Sequence, residues 1–149
     1  MDAELTVQVD VQAPPETVFA AATDWERQGE WILGTTVRIL RGDGRSVGSE
    51  VEALTGVRGI GITDSMRITE WSAPQRCQVR HTGRLIRGIG IFAVRPRGHD
   101  GATFEWTERL ALPFGALGRL GWIVLRPVFG WGLARSLDRF AEFCRSYPR

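Results

Sequence analysis

Lysine is missing from this chain: all 19 basic residues are arginine, against 17 acidic ones, for a net charge of +2. Its absence rules out a Walker-type phosphate loop, and GDGRSVG (42–48) lacks the spacing of a dinucleotide-binding loop as well. That segment reads as a hairpin turn. The arginines are scattered among carboxylates rather than gathered in a run that would neutralise phosphates, which excludes nucleic acid as the expected partner. Cys77 and Cys144 are the only cysteines, His81 and His99 the only imidazoles, and no metal-ligand spacing emerges from them. No metal and no cofactor is expected, and both thiols read as buried and reduced. No serine or cysteine stands in a nucleophile elbow, and the lone Tyr147 lies at the C-terminal tip, so covalent catalysis has no candidate. Long apolar runs are absent too: residues 110–134 are broken by Arg119, Arg126 and several glycines, short of the ~20 clean residues a membrane helix needs. At most this stretch lies on a membrane surface, in transient contact. The chain opens with Asp2 and Glu4 rather than a basic region and an apolar core, so no export signal is expected and the expected location is cytoplasmic.

What is present fits one domain over residues 1–149, with 43% hydrophobic and 24% charged residues, enough to build a core without staples. Leu5, Val7, Val9 and Val11 alternate with Thr6, Gln8, Asp10 and Gln12, the period of a half-buried strand. Pro14 and Pro15 then suit the first turn of a short helix, where an N–H is unpaired anyway, and Glu16 favours the helix dipole. Val18, Phe19 and Ala22 form its inward side. Thr23 and Asp24 offer a cap for a second short helix from Trp25 to Trp31. Strands follow at about 36–41, 47–55, 60–71, 76–82, 85–95 and 102–112, separated by the turn-rich segments GDGR, TGVRG, SAPQ, TGR and PRGHDG.

Short connections make these strands antiparallel neighbours, and the faces must agree across each one. A turn at SAPQ sets Met66 opposite His81, Ile68 opposite Val79 and Glu70 opposite Cys77. The TGR turn sets Val79 near Gly88 and Cys77 near Gly90, and the PRGHDG turn sets Gly90 opposite Glu108, Phe92 opposite Trp106 and Val94 opposite Phe104. One concave face therefore carries Ile62, Met66, Ile68, Val79 and Ile86, continued by Phe92, Phe104, Trp106, Leu110 and Leu112. Against it falls a C-terminal helix whose stripe is Phe129, Leu133, Leu137, Phe140 and Cys144, with Arg135, Asp138, Arg139, Glu142 and Arg145 on the wet side. Pro127 is expected to start or kink this helix, giving two helical pieces. The glycine-rich residues 113–126, with Trp122, read as a mobile flap over a pocket mouth.

Three ionisable residues fall on the apolar face: Asp64, His81 and Glu108. Such groups are costly to bury unless paired or wet. Asp64 lies diagonal to His81 at roughly 7–8 Å by sheet geometry, close enough for a water-bridged acid and base pair. Glu108 faces Gly90 and lies beside Gly88, where missing side chains leave room for a ligand. By this pairing Asp64 and Glu108 are several strands apart and do not form one constellation. The alternative is a structural role, with these carboxylates paired to arginines such as Arg80 or Arg109.

The first strand with VQAPPETVF, the following ATDWERQGEW, and then MRITEWSAP, GATFEWTERL and LGRLGWIVLRPVFGWGLARSLDRF together resemble the polyketide cyclase/dehydrase and lipid-transport family of the START-like superfamily. The resemblance spans nearly the whole chain. It implies an α+β helix-grip fold, a seven-stranded antiparallel curved sheet around a long C-terminal helix, with two short helices after the first strand. It also implies an internal cavity for lipids, polyketides, sterols or other apolar molecules. Members that cyclise polyketides use cavity arginine and tyrosine side chains, whereas here Tyr147 is misplaced and no cavity arginine is predicted.

The expected function is binding of a small hydrophobic molecule between sheet and helix. Ile62, Met66, Ile68, Val79, Phe92, Phe104, Trp106 and Leu110 would line the site with Gly88 and Gly90, closed by Trp122, Phe129 and Leu133. One alternative is a cyclase or dehydratase in which Asp64 or Glu108 removes a proton and His81 returns one. Another is a protein or membrane-surface interaction module. The sequence leaves the ligand and the oligomeric state open.

Overall fold

The computed structural model describes residues 2–57 and 60–148. Arg58 and Gly59, inside the expected TGVRG turn, lie outside the described residues. Strand β1 (Asp2–Val11) is followed by helix α1 (Pro15–Ala22), a 3-10 turn (Trp25–Glu30), and strands β2 (Thr35–Arg41), β3 (Glu50–Val57) and β4 (Ile60–Ser72). Strands β5 (Arg76–Thr82), β6 (Arg87–Arg97) and β7 (Gly101–Ala111) complete the sheet, and helix α2 (Gly115–Arg145) crosses it. The strand order is β1-β7-β6-β5-β4-β3-β2, every pair antiparallel. This is the curved seven-stranded sheet with a long C-terminal helix that the sequence predicts. Strands β1 and β2 are its two edges, and α1 with the 3-10 turn carries the chain from one to the other.

Local chemistry explains the junctions. Pro14 caps α1 and Pro15 is its first residue, so neither ring removes a helical hydrogen bond. Val18, Phe19 and Ala22 are buried as predicted. Neither Thr23 nor Asp24 caps the 3-10 turn with its side chain; Thr23 donates to the Phe19 carbonyl, and the Asp24 carboxylate accepts from the Tyr147 hydroxyl at 2.8 Å. That bond pins the C-terminal end of α2 to the start of the 3-10 turn. Strand β3 begins at Glu50 rather than near residue 47, because Ser46 and Ser49 fold back to bond the Asp43 carboxylate within the turn.

The core lies between the sheet and the C-terminal half of α2. Trp31, fully buried, packs on Phe92, Phe104, Trp106 and Phe140 with ring centroids 4.7–6.2 Å apart. Leu133, Leu137, Phe140 and Cys144 face inward, while Arg135, Asp138, Arg139, Glu142 and Arg145 are exposed, as the periodicity requires; Phe129, expected to begin the inward stripe, is instead exposed, because the packed core ends at Leu133. Phe143 joins the buried side. Both cysteines are free and buried, and burial pushes each thiol up to about 12.

Three expectations are corrected. Helix α2 is continuous from Gly115 to Arg145, with Pro127 inside it rather than dividing it, and residues 115–126 belong to the helix rather than to a flap. Around Pro127 the residues from Ile123 to Val128 are exposed, so the carbonyl that loses its partner can turn to solvent. A β-bulge between Ile68 and Glu70 places Trp71, not Glu70, opposite Cys77. The β5–β6 connection leaves four residues, 83–86, unpaired instead of a tight turn, which slides β6 by two positions and sets Val79 opposite Gly90 and His81 opposite Gly88. A slip of two preserves the faces. The remaining pairs, Met66 with His81, Ile68 with Val79, and Gly90, Phe92 and Val94 with Glu108, Trp106 and Phe104, are as predicted.

Among the described residues, no helix is long and apolar enough to cross a membrane.

Candidate functional site

The slip in β6 decides the chemistry of the concave face. In the predicted register Glu108 lies level with Cys77, two rungs from His81; in the structure it lies level with Val79, diagonal to His81 across Gly90. Gly90 has no side chain, so the Glu108 carboxylate reaches over it. Its Oε2 lies 2.9 Å from His81 Nε2, and Asp64 closes on the other ring nitrogen, His81 Nδ1, also at 2.9 Å. Trp106 Nε1 donates to Glu108 Oε1 at 2.9 Å. Asp64, His81, Glu108 and Trp106 thus form one chain of hydrogen bonds. The expectation that Asp64 and Glu108 stay apart is corrected, and the Asp64–His81 contact is direct instead of water-bridged.

Electrostatics follow from this geometry. Burial disfavours an imidazolium, but the hydrogen bonds to Asp64 and Glu108 and the two negative charges more than offset it, raising the His81 pKa from 6.5 to about 10. Near neutrality His81 is therefore charged and donates from both nitrogens. With both ring nitrogens of His81 taken up by the carboxylates, what the group offers outward is carboxylate lone pairs. Neither carboxylate pairs with Arg80 or Arg109; Arg109 holds Glu4 at 2.8 Å instead.

Two glycines keep the floor beside the triad bare. A Cβ added at Gly90 would stand 3.1 Å from Glu108 Oε1 and 3.3 Å from Val79. Gly88 has φ +123°, and its Cβ would collide with the Arg109 carbonyl. Gly88 therefore needs glycine for its backbone as well as for room, whereas at Gly90 a side chain would press on Glu108 and Val79.

A cavity of about 980 Å³ opens between the start of β1 and the N-terminal half of α2, lined by Ala3, Leu5, Leu112, Leu120, Trp122 and Ile123 among others. Glu4, Arg119 and Arg126 supply its charged groups. The triad does not line it, but Leu5 pairs with Glu108 across β1 and β7, so the cavity wall stands one strand from the triad on the same face. A second cavity of about 740 Å³, between α1, the 3-10 turn and Trp71, is lined by Phe19, Trp25, Pro74 and Tyr147 with several carboxylates. Asp64, His81 and Glu108 line neither. Among the described residues no His, Cys, Asp and Glu side chains are grouped so as to hold a metal ion.

The predicted lining residues divide. Trp122 lines the first cavity and stacks edge-on against Phe129 at 5.7 Å. Leu110 and Gly88 are half-buried beside the triad, whereas Ile62 is exposed toward the end of the sheet. Ile68, Phe104 and Leu133 belong to the packed core, with Met66, Val79, Gly90, Phe92 and Trp106 buried around the triad and the aromatic hub. Ala3, Leu5, Ile123, Pro127, Arg119 and Arg126 are cavity residues that the sequence reading did not select. The inward parity of Leu5 was visible; its partner strand was not. The expectation of no cavity arginine is corrected by Arg119 and Arg126, because the segment read as a loop is helix and carries them at a fixed offset.

Residues 2–144 match the model of the family described as polyketide cyclase / dehydrase and lipid transport. Among solved structures, the chain is similar to TTHA0849 from Thermus thermophilus, at 16% identity and a TM-score of 0.81 over 97% of this chain and 98% of that one. It is similar to the ZhuI aromatase/cyclase from Streptomyces sp. R1128, at 14% identity and a TM-score of 0.80, covering 97% and 94%. A START superfamily protein from Mycobacterium smegmatis matches at 18% identity and a TM-score of 0.68, covering 93% and 97%. Identities this low establish a shared fold and no more. Among curated proteins no relative matches.

Proposed function

Because the chain belongs to the polyketide cyclase / dehydrase and lipid transport family, we propose that it binds a small hydrophobic molecule in the cleft between the sheet and the N-terminal half of α2. The observation that carries this reading is the juxtaposition of an apolar cleft with a buried acceptor group one strand away, Glu108 on β7 standing beside the cleft residue Leu5 on β1. Apolar contact at ~25 cal/mol per Å² supplies affinity, and a few polar groups set orientation. Since both ring nitrogens of His81 are occupied, the polar end of the ligand that meets the floor is a donor, such as a hydroxyl. Arg126, across the cleft, suits an acceptor at the other end.

Native mass spectrometry of the purified protein is expected to capture a bound apolar molecule, and an environment-sensitive fluorescent fatty acid is expected to compete with it. Trp122→Ala is expected to weaken binding of that probe about tenfold, the equivalent of ~55 Å² of lost apolar contact. Probe binding unaltered by this variant would place the ligand elsewhere.

A second reading, a cyclase- or dehydratase-type reaction, is favoured by one observation, the convergence of two carboxylates on a single imidazolium. In it a carboxylate takes a proton from a carbon beside a carbonyl, and His81 positions the carboxylates, its own protons being held by them. Incubating the captured molecule with fresh protein is expected to change its chromatographic retention if the carbanion closes a ring, and also to lower its mass by one water if a hydroxide leaves, and Glu108→Gln to abolish either change. Unchanged retention and mass with the unaltered protein remove this reading and leave binding in place.

A further inference from the structure

The antiparallel register collects at one end of the sheet the start of β1, the start of β4, the β5–β6 connection and the beginning of α2. This is also the end at which the cleft opens between Ala3, Leu112 and α2. Large apolar side chains there face water instead of the core. Phe114, Leu117 and Leu120 are 78%, 71% and 60% exposed at the start of α2, Ile60 is 83% exposed at the start of β4, and Leu85 is 64% exposed on the β5–β6 connection. A folded chain has no reason of its own to leave so many in water on one rim.

Charge says what covers them. From Arg109 to Leu137 the sequence contains no carboxylate and four arginines, Arg109, Arg119, Arg126 and Arg135. Arg84 and Arg87 flank Leu85 on the neighbouring connection and are exposed. Glu4, Asp64 and Glu108 near this end are already held, Glu4 by Arg109 and the other two by His81. A rim of Phe and Leu interleaved with arginine, with Trp122 and Trp131 further along the same helix, has the composition of an element that lies in the interface of an anionic bilayer, apolar side chains among the acyl chains and guanidinium groups at the headgroups. A second copy of this chain is a poorer match, since it would bring arginines against arginines.

We infer that the cleft-mouth rim, the start of α2 with the first residue of β4 and the β5–β6 connection, docks on the surface of an anionic lipid bilayer. The inference does not depend on what the cleft holds, because the rim is exposed whether the cleft is empty or filled. Flotation with vesicles of equal parts phosphatidylglycerol and phosphatidylcholine, at low and at physiological salt, tests it against vesicles of phosphatidylcholine alone. Binding is expected to the anionic vesicles and to weaken with salt. Arg84→Gln with Arg87→Gln is expected to lower the partition coefficient roughly 25-fold, about fivefold for each arginine. Phe114→Ser with Leu117→Ser, both exposed and so expected to leave thermal unfolding unchanged, is expected to lower it further at high salt. The inference is overturned by no binding to either vesicle, by equal binding to both, or by a rim that proves to be buried in a concentration-dependent dimer unaffected by lipid. Any of these outcomes leaves capture of a ligand by native mass spectrometry untouched.

Discussion

Trp31→Ala is expected to destabilise the protein by about 3–5 kcal/mol, the range for removing a large aromatic from a packed core. Trp31 is the hub of the molecule: its ring meets Phe92, Phe104 and Trp106 from the sheet and Phe140 from α2, and it is delivered by the 3-10 turn that crosses between the sheet edges. One side chain thus joins three elements that are distant in sequence. Its removal opens a void that the rigid sheet cannot collapse to fill. The same hub fills the space between the sheet and the C-terminal half of α2, so the cleft on this face lies at the N-terminal half. Equilibrium denaturation in urea measures the effect. A loss below about 1 kcal/mol would mean that the elements are held together elsewhere.

Removing the imidazole of His81 is the second large effect. His81→Ala leaves Asp64 and Glu108 buried without their shared cation, and breaking a buried ion pair from one side costs about 3–5 kcal/mol. The pH dependence is a sharper test. The folded pKa of His81, about 10, lies above the ~6.5 of an unfolded imidazole. The folded state therefore binds the proton more tightly, and this stabilisation is complete below about pH 6.5 and is lost as the pH rises toward 10. Within that window the stability of the unaltered protein is expected to fall by up to about 1.4 kcal/mol per pH unit. His81→Gln is expected to be less stable at pH 6.5 and nearly flat up to about pH 8, above which the two buried thiols, also raised in the folded state, lower the stability of both proteins. A profile for the unaltered protein that rises or stays level across this window would show that His81 is not held as an imidazolium.

Much of the fold was legible because its signals are local. Leu5, Val7, Val9 and Val11 declare a strand by alternation, and the hairpins β4–β5 and β6–β7 are joined by turns short enough to fix most of their register, so Met66 with His81 and Phe92 with Trp106 could be paired by hand. The stripe from Leu133 to Cys144 named the buried side of α2. Errors arose where a connection or a helix breaker admitted more than one local solution. The TGR segment fits a two-residue turn as well as the four-residue connection it makes, and Pro127 is compatible with a stop, a kink or an uninterrupted helix with solvent beside it.

The candidate site shows the boundary more plainly. That Asp64, His81 and Glu108 face the core was determined by sequence alone, since parity along a strand survives a two-residue slip and the side chains alternate with a period of two. That they touch was decided only in three dimensions. The length of one connection set whether Glu108 stood one rung or two from His81, and the curvature of the sheet set which strand closed on β1, about a hundred positions away. The cleft likewise has one wall from Ala3 and Leu5 and the other from Trp122 and Ile123, and nothing in either segment encodes the other. Alternation and helical period are properties of neighbours along the chain, whereas a triad and a cleft are made by packing between distant strands, whose free energy depends on the whole molecule.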